Sequence, residues 1–122
     1  MATNTDTSLQ GYAFQVHQRD KFRCQYCGVD GTASFDVWLT LSEDHLLPKG
    51  HPDRENPDYR VTSCQFCNTA DNHYFKHAEA RGLTFDGKSR KELVAQRLPY
   101  VQATRQSYRE FWEEHVNRRR EP

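Results

Sequence analysis

Long apolar runs are missing from this chain. Hydrophobic residues fill 35% of its 122 positions, and nothing approaches the ~20 consecutive apolar residues that a membrane-spanning helix needs. The N-terminal run Met1–Gln10 is polar and lacks the apolar segment of a secretory leader. These absences lead us to expect a soluble, cytoplasmic protein that does not engage a membrane. An excess of either charge is also missing, with 17 Lys/Arg against 17 Asp/Glu. The sum hides an asymmetry: residues 1–80 carry seven Lys/Arg against eleven Asp/Glu, and residues 81–122 carry ten against six. Basic surface is therefore expected in the C-terminal third, ending on Arg118-Arg119-Arg120, where it can meet a polyanion without disturbing a core. No internal repeat or domain linker is present, and the length suits one domain whose core needs help from a metal.

Cysteine occurs only four times, but in two matching pairs, Cys24-Gln25-Tyr26-Cys27 and Cys64-Gln65-Phe66-Cys67. A C-x-x-C pair brings two thiols to one ion from a tight turn, and two pairs complete a tetrahedral shell for structural zinc. In a reducing compartment such pairs are ligands rather than disulfides. Residues 28–63 separate them, more than in an ordinary zinc ribbon, and this insertion holds the reactive-looking Ser42-Glu43-Asp44-His45 segment.

Periodicity organises the rest. We expect a polar, disordered stretch over 1–8 and a short helix from Ser8 to Asp20, with Gly11 weakening it. Alternating Phe35, Val37, Leu39 and Leu41 predict a strand ending at Asp44 and His45, followed by a Pro- and Gly-rich loop over 47–59 and a return strand at Arg60-Val61-Thr62. A helix is expected from Gln65 to Arg81, stopped by Gly82. On a wheel of about 100° per residue, Asn72, Phe75 and Glu79 share the side of Asn68, whereas His73 and His77 face away. Ser89 and Glu92 form a capping box opening a helix to Leu98, which Pro99 should break or kink. A last helix over 100–118 carries Val101, Tyr108, Phe111, Trp112 and His115 on one stripe. Arg105 lies within that apolar arc, so it either pairs internally or projects toward a ligand. Tyr26 and Phe66 read as packing around the thiols, and His51 as a loop residue.

Arg19–Gly28, then Asp44-His45-Leu46-Leu47-Pro48, then Val61-Thr62-Ser63-Cys64-Gln65-Phe66-Cys67-Asn68 together resemble the HNH endonuclease family over roughly residues 12–75. The resemblance implies an α+β fold, a small ββα-metal core stapled by a four-cysteine zinc site over residues 9–82, with an N-terminal helix and a C-terminal helical extension over 83–122. It implies that His45 is a general base, a role that suits an imidazole near neutral pH. Asp44 and Asn68 would ligate a catalytic ion, Mg²⁺ or Mn²⁺ in view of their hard oxygen donors. Tyr59 stands where the family has an Asn that ties down the loop and orients the histidine, and Asn56 or Asp58 are the candidates to replace it, with Asn72 also near the ligands. Phosphodiester hydrolysis in DNA, by a monomer or homodimer that nicks one strand per engagement, is the implied activity. Arg90, Lys91, Arg97, Arg105, Arg109 and Arg118–Arg120 are candidate contacts to nucleic-acid phosphates. The alternative is a catalytically inactive zinc-ribbon module that binds nucleic acid or a protein partner.

Overall fold

The computed structural model describes residues 9–70 and 73–117. Helix α1 (Phe14–Arg19) leads into the first cysteine pair. A one-turn helix α2 (Phe35–Leu39) precedes strand β1 (Leu41–His45), which is followed by β2 (Arg60–Cys64), helices α3 (Gln65–Ala70) and α4 (Tyr74–Ala80), and the long helix α5 (Arg90–Phe111). The architecture is a mixture of helices and one two-stranded antiparallel sheet, α+β in that broad sense.

The sheet runs from Leu41 opposite Cys64 to His45 opposite Arg60. β2 supplies the β-branched Val61 and Thr62, whereas β1 has no β-branched residue and is a strand by virtue of its pairing. β2 is buried along its whole length because its second edge is covered. The Thr62 N–H donates to the Asp20 carboxylate at 2.8 Å, the Gln25 N–H donates to the Thr62 carbonyl at 2.9 Å, and the Arg19 guanidinium donates to the Arg60 carbonyl at 2.6 Å. An edge that would otherwise offer free backbone groups is thus closed by α1 and the first knuckle. Behind it the buried His17 Nδ1 lies 2.7 Å from Thr62 Oγ1. The core gathers Tyr26, Leu46, Leu47, Val61, Leu93 and Val101 around Cys24, Cys64 and Cys67.

The turn from α1 into the first knuckle is tight. Lys21 and Phe22 both have positive φ, 58° and 59°, a left-handed conformation that costs about 1–2 kcal/mol for each non-glycine residue. It is held by the Phe22 N–H donating to the His17 carbonyl (2.8 Å) and the Gly31 N–H to the Phe22 carbonyl (2.7 Å). A Cβ on Gly31 would meet that carbonyl at 2.9 Å and Leu41 Cδ1 at 2.6 Å, so no larger residue fits the crossing unmoved.

Several expected elements differ. The N-terminal helix is only Phe14–Arg19, with turns before it. Residues 35–39 are helical rather than extended because the Ser34 side chain accepts the Val37 N–H and caps a turn, which leaves Phe35 69% exposed. The strand is displaced to Leu41–His45, and still ends on Asp44 and His45. The single helix expected over 65–81 appears as α3 and α4. Gly82, at φ +70°, follows α4 as expected. Pro99 does not break the C-terminal helix: α5 runs through it, held by the Ser89–Glu92 capping box and by Leu93, Arg97 and Val101, which are buried on either side of the proline. The stripe beyond Val101 is not core either, since Tyr108, Phe111 and Trp112 are exposed. Among the described residues no helix is long and apolar enough to cross a membrane. The 1–8 segment and Arg118, Arg119 and Arg120 lie outside the described residues, as does Asn72.

Candidate functional site

The two cysteine pairs meet. Gly28, at φ +78°, turns the chain so that its N–H donates to the Cys24 carbonyl. The Tyr26 and Cys27 N–H groups donate to Cys24 Sγ at 3.4 Å each, and the Cys67 N–H donates to Cys64 Sγ at the same distance. The four sulfurs lie within 4.8 Å of one another, with Cys27 and Cys64 at 3.9 Å. A tetrahedron with Zn–S bonds of about 2.3 Å has edges of about 3.8 Å, so the cluster has the donors and spacing to hold a zinc ion. Hydrogen bonds from the Cys64 and Cys67 thiols hold the Cys24 thiol far below its ordinary range. The same sharing, with burial, pushes Cys67 up and Cys64 up to about 11. Arg105 lies beside the cluster, Nη1 4.0 Å from Cys67 Sγ, its guanidinium 5.5 Å over the Phe66 ring. Its guanidinium thus lies over sulfur and an aromatic face, while the residue as a whole is exposed.

At the far end of the sheet a cleft of about 490 Å³ is lined by Asp44, His45, Lys49, Arg54, Asn68 and Phe75. It therefore brings Asp44, His45 and Asn68 to one place, along with Phe75, which the wheel placed on Asn68's side. Asn68 Nδ2 donates to Ser42 Oγ at 3.0 Å and leaves its carbonyl oxygen as the acceptor. His45 Nε2 is 3.2 Å from Glu55 Oε1, and this contact holds the Glu55 carboxyl below its usual range.

Asp44 is not open to solvent. It is 5% exposed, and its Oδ2 accepts from the Tyr26 hydroxyl at 2.6 Å and from Arg97 Nη1 at 2.7 Å. Arg97 in turn donates to the His45 carbonyl at 3.1 Å, and its guanidinium lies 4.7 Å from the Tyr74 ring centroid and 4.9 Å from that of Phe75. Both of these donors converge on the same oxygen of Asp44, Oδ2, rather than being shared with Oδ1. One strand position away, buried Glu43 pairs with Arg60 at 2.9 Å. Burial raises the Glu43 carboxyl, an effect that Arg60 opposes.

The remaining candidates scatter. Arg97 is 1% exposed, so burial against Asp44 removes it from the set of surface phosphate contacts. Asn56 caps the 3₁₀ turn Pro57–Tyr59 by accepting the Asp58 N–H, and Asp58 lies 3.9 Å from Arg90. Tyr59 offers its carbonyl to the Leu46 N–H. None of these three reaches His45 by a hydrogen bond; Glu55 does. Lys91 is exposed, and Arg109 is 3.6 Å from Glu113 and 5.8 Å over Trp112. Sequence reasoning missed Tyr26, Arg97 and Glu55 as partners of the cleft. The signal that could have found Arg97 is its place between Leu93 and Val101 on one apolar arc, which shows only when the helix is continuous through Pro99. Compared with protein-family models, with curated proteins and with solved structures, the chain finds no match.

Proposed function

We propose that the chain is a metal-dependent endonuclease of the HNH type, hydrolysing phosphodiester bonds in DNA. One observation carries this reading: Asp44 and His45, from the end of β1, and Asn68, from the helix that follows β2, line the same cleft, with Lys49 and Arg54 beside them. Asp44 Oδ1, which takes neither of those hydrogen bonds, and the Asn68 carbonyl are hard oxygen donors of the kind a magnesium or manganese ion takes. Such an ion, when bound, supplies stabilisation of the negative charge that grows on the phosphate and the leaving oxygen. His45 takes the proton from the attacking water, and Glu55 fixes the ring through Nε2. Lys49 and Arg54 favour a polyanion at the cleft mouth. Tyr26 and Arg97 hold Asp44 by Oδ2 and so keep Oδ1 in place.

A second reading, a zinc module that binds without catalysis, draws on the same clamp: a carboxylate that is 5% exposed and tied to a buried guanidinium is also a structural ion pair. Nicking of a supercoiled plasmid in the presence of Mg²⁺ or Mn²⁺ separates the two. The nuclease reading expects the wild type to nick and His45→Ala to lose roughly 10²-fold or more of the rate. Full activity in His45→Ala removes His45 from the mechanism, and a wild type inert with both metals leaves the binding module.

A further inference from the structure

One residue in the wall of the cleft is unlike the rest. Phe75, in the first turn of α4, lines it beside Asp44, His45, Lys49, Arg54 and Asn68, and is only half-buried. Its ring is held on several sides: Phe85 meets it edge to face at 5.5 Å, Tyr74 lies at 5.8 Å, and the Arg97 guanidinium is 4.9 Å from its centroid. The same guanidinium donates to Asp44 Oδ2 at 2.7 Å. One buried side chain therefore fixes the ring and the carboxylate relative to each other, close enough for one nucleotide to meet both, its phosphate at one and its base at the other.

Charge in the cleft favours an anion. Asp44 is the sole carboxylate in the lining and is already tied to Arg97. Lys49 is exposed, and Arg54 gives one N–H to Glu55 at 3.0 Å while its Nε, buried, meets no acceptor among the described residues. A phosphate oxygen is the acceptor that guanidinium N–H groups bind best. A basic cleft alone would suit any phosphate backbone, paired or unpaired. The ring discriminates between them. In a duplex the base faces are stacked on one another, and only phosphates, sugars and groove edges reach a protein. An unpaired nucleotide offers a free face, which stacks on an aromatic side chain whatever the base.

We propose that the substrate of this cleft is an unpaired stretch of DNA strand, its phosphates held by Arg54 and Lys49 and the base next to the cut phosphodiester stacked on Phe75. The inference rests on the nuclease reading and narrows it. Phe75 is then a specificity-determining residue, with no part in proton transfer or ion binding. Single strands and bulges share this chemistry.

End-labelled oligonucleotides of one sequence test it, supplied with Mn²⁺ as a single strand, as a perfect duplex and as a duplex with a short central bulge. The wild type should cut the single strand at least about tenfold faster than the duplex, as one to two stacked bases allow. A bulge cut at its unpaired nucleotides assigns any unpaired site, and a resistant bulge assigns free strands. Phe75→Leu should lower the ratio of single-strand to duplex rates at least about fivefold, and Phe75→Tyr, which keeps the ring, should keep the ratio. A packing role alone shifts the thermal midpoint of Phe75→Leu and leaves the ratio as it was. A duplex cut as fast as the single strand overturns the proposal, as does an unchanged ratio in Phe75→Leu; cleavage itself would in either case still uphold the nuclease reading. If the wild type cuts nothing, that reading fails, and fluorescence anisotropy of the same oligonucleotides without added Mg²⁺ or Mn²⁺ decides the ligand. Tighter binding of the single strand, lost in Phe75→Leu, keeps the assignment, and equal binding of strand and duplex overturns it.

Discussion

The thiolate cluster and the cleft stand at the two ends of one five-residue ribbon, and they are built in opposite ways. At the Cys64 end, four ligands come from two tight turns, backbone N–H groups already point at sulfur, and three of the four cysteines are buried. At the His45 end, Asp44 depends on Tyr26 and on Arg97, the latter 53 positions away in sequence, and His45 depends on Glu55 from the long loop. A centre that only holds the chain together can be closed and local. A centre proposed to admit a ligand would instead need one open side, with its donors kept in place by groups recruited from distant elements.

The contrast breaks most visibly at the thiolate end. Cys24→Ser, or removal of metal by a strong chelator, should abolish the cooperative thermal transition followed by circular dichroism. A structural zinc contributes about 10–16 kcal/mol of apparent binding energy, on the order of the whole stability of a small domain or more. Metal analysis of the untreated protein should find about one zinc per chain, as one four-ligand shell allows. A sharp unfolding transition that survives chelation would make the cluster dispensable and erase the distinction between the two ends.

At the cleft end the expected loss is smaller. Arg97→Met leaves the Asp44 carboxylate buried without its cation, which should cost about 3–5 kcal/mol in urea unfolding. The double variant Arg97→Met/Asp44→Leu replaces the pair by apolar groups and should recover most of that loss, because the penalty comes from the orphaned charge more than from the missing attraction. If Arg97→Met alone changes stability by less than about 1 kcal/mol, the range of an exposed pair, then Asp44 does not rely on Arg97.

The same contrast explains what could be read before the fold was seen. The two C-x-x-C pairs announce their cluster because ligands three residues apart meet through local turn geometry. The strand end at Asp44-His45 and the helix start before Asn68 were legible from turn residues and motif order. The clamp on Asp44 was not, because no pattern in a single chain ties Tyr26 or Arg97 to it, and a helix expected to stop at Leu98 separates Arg97 from Val101. Residues 35–39 misled for a related reason: their alternation suits a strand, and the Ser34 cap that makes them helical outweighs a weak periodicity. Pro99 misled because propensity is judged locally, whereas burial on both sides of it is a tertiary effect.

His17 offers the finest test, since it lies behind β2 and touches neither metal-site candidate. Burial holds its imidazole below the ordinary value of 6.5, and nearby Asp20 opposes that shift only in part. The fold therefore favours the neutral ring. As pH falls below about 6.5 the unfolded chain takes up the proton first, so this contribution to stability is present above that value and is lost as pH drops toward the folded pKa. His17→Gln keeps a polar group facing Thr62 and removes the titration. The difference between urea midpoints measured at about pH 7.5 and about pH 5.5 should be smaller in the variant than in the wild type. Equal differences would mean that His17 is not held neutral, and that the acid sensitivity of the ribbon comes from the thiolates at one end or the carboxylates at the other.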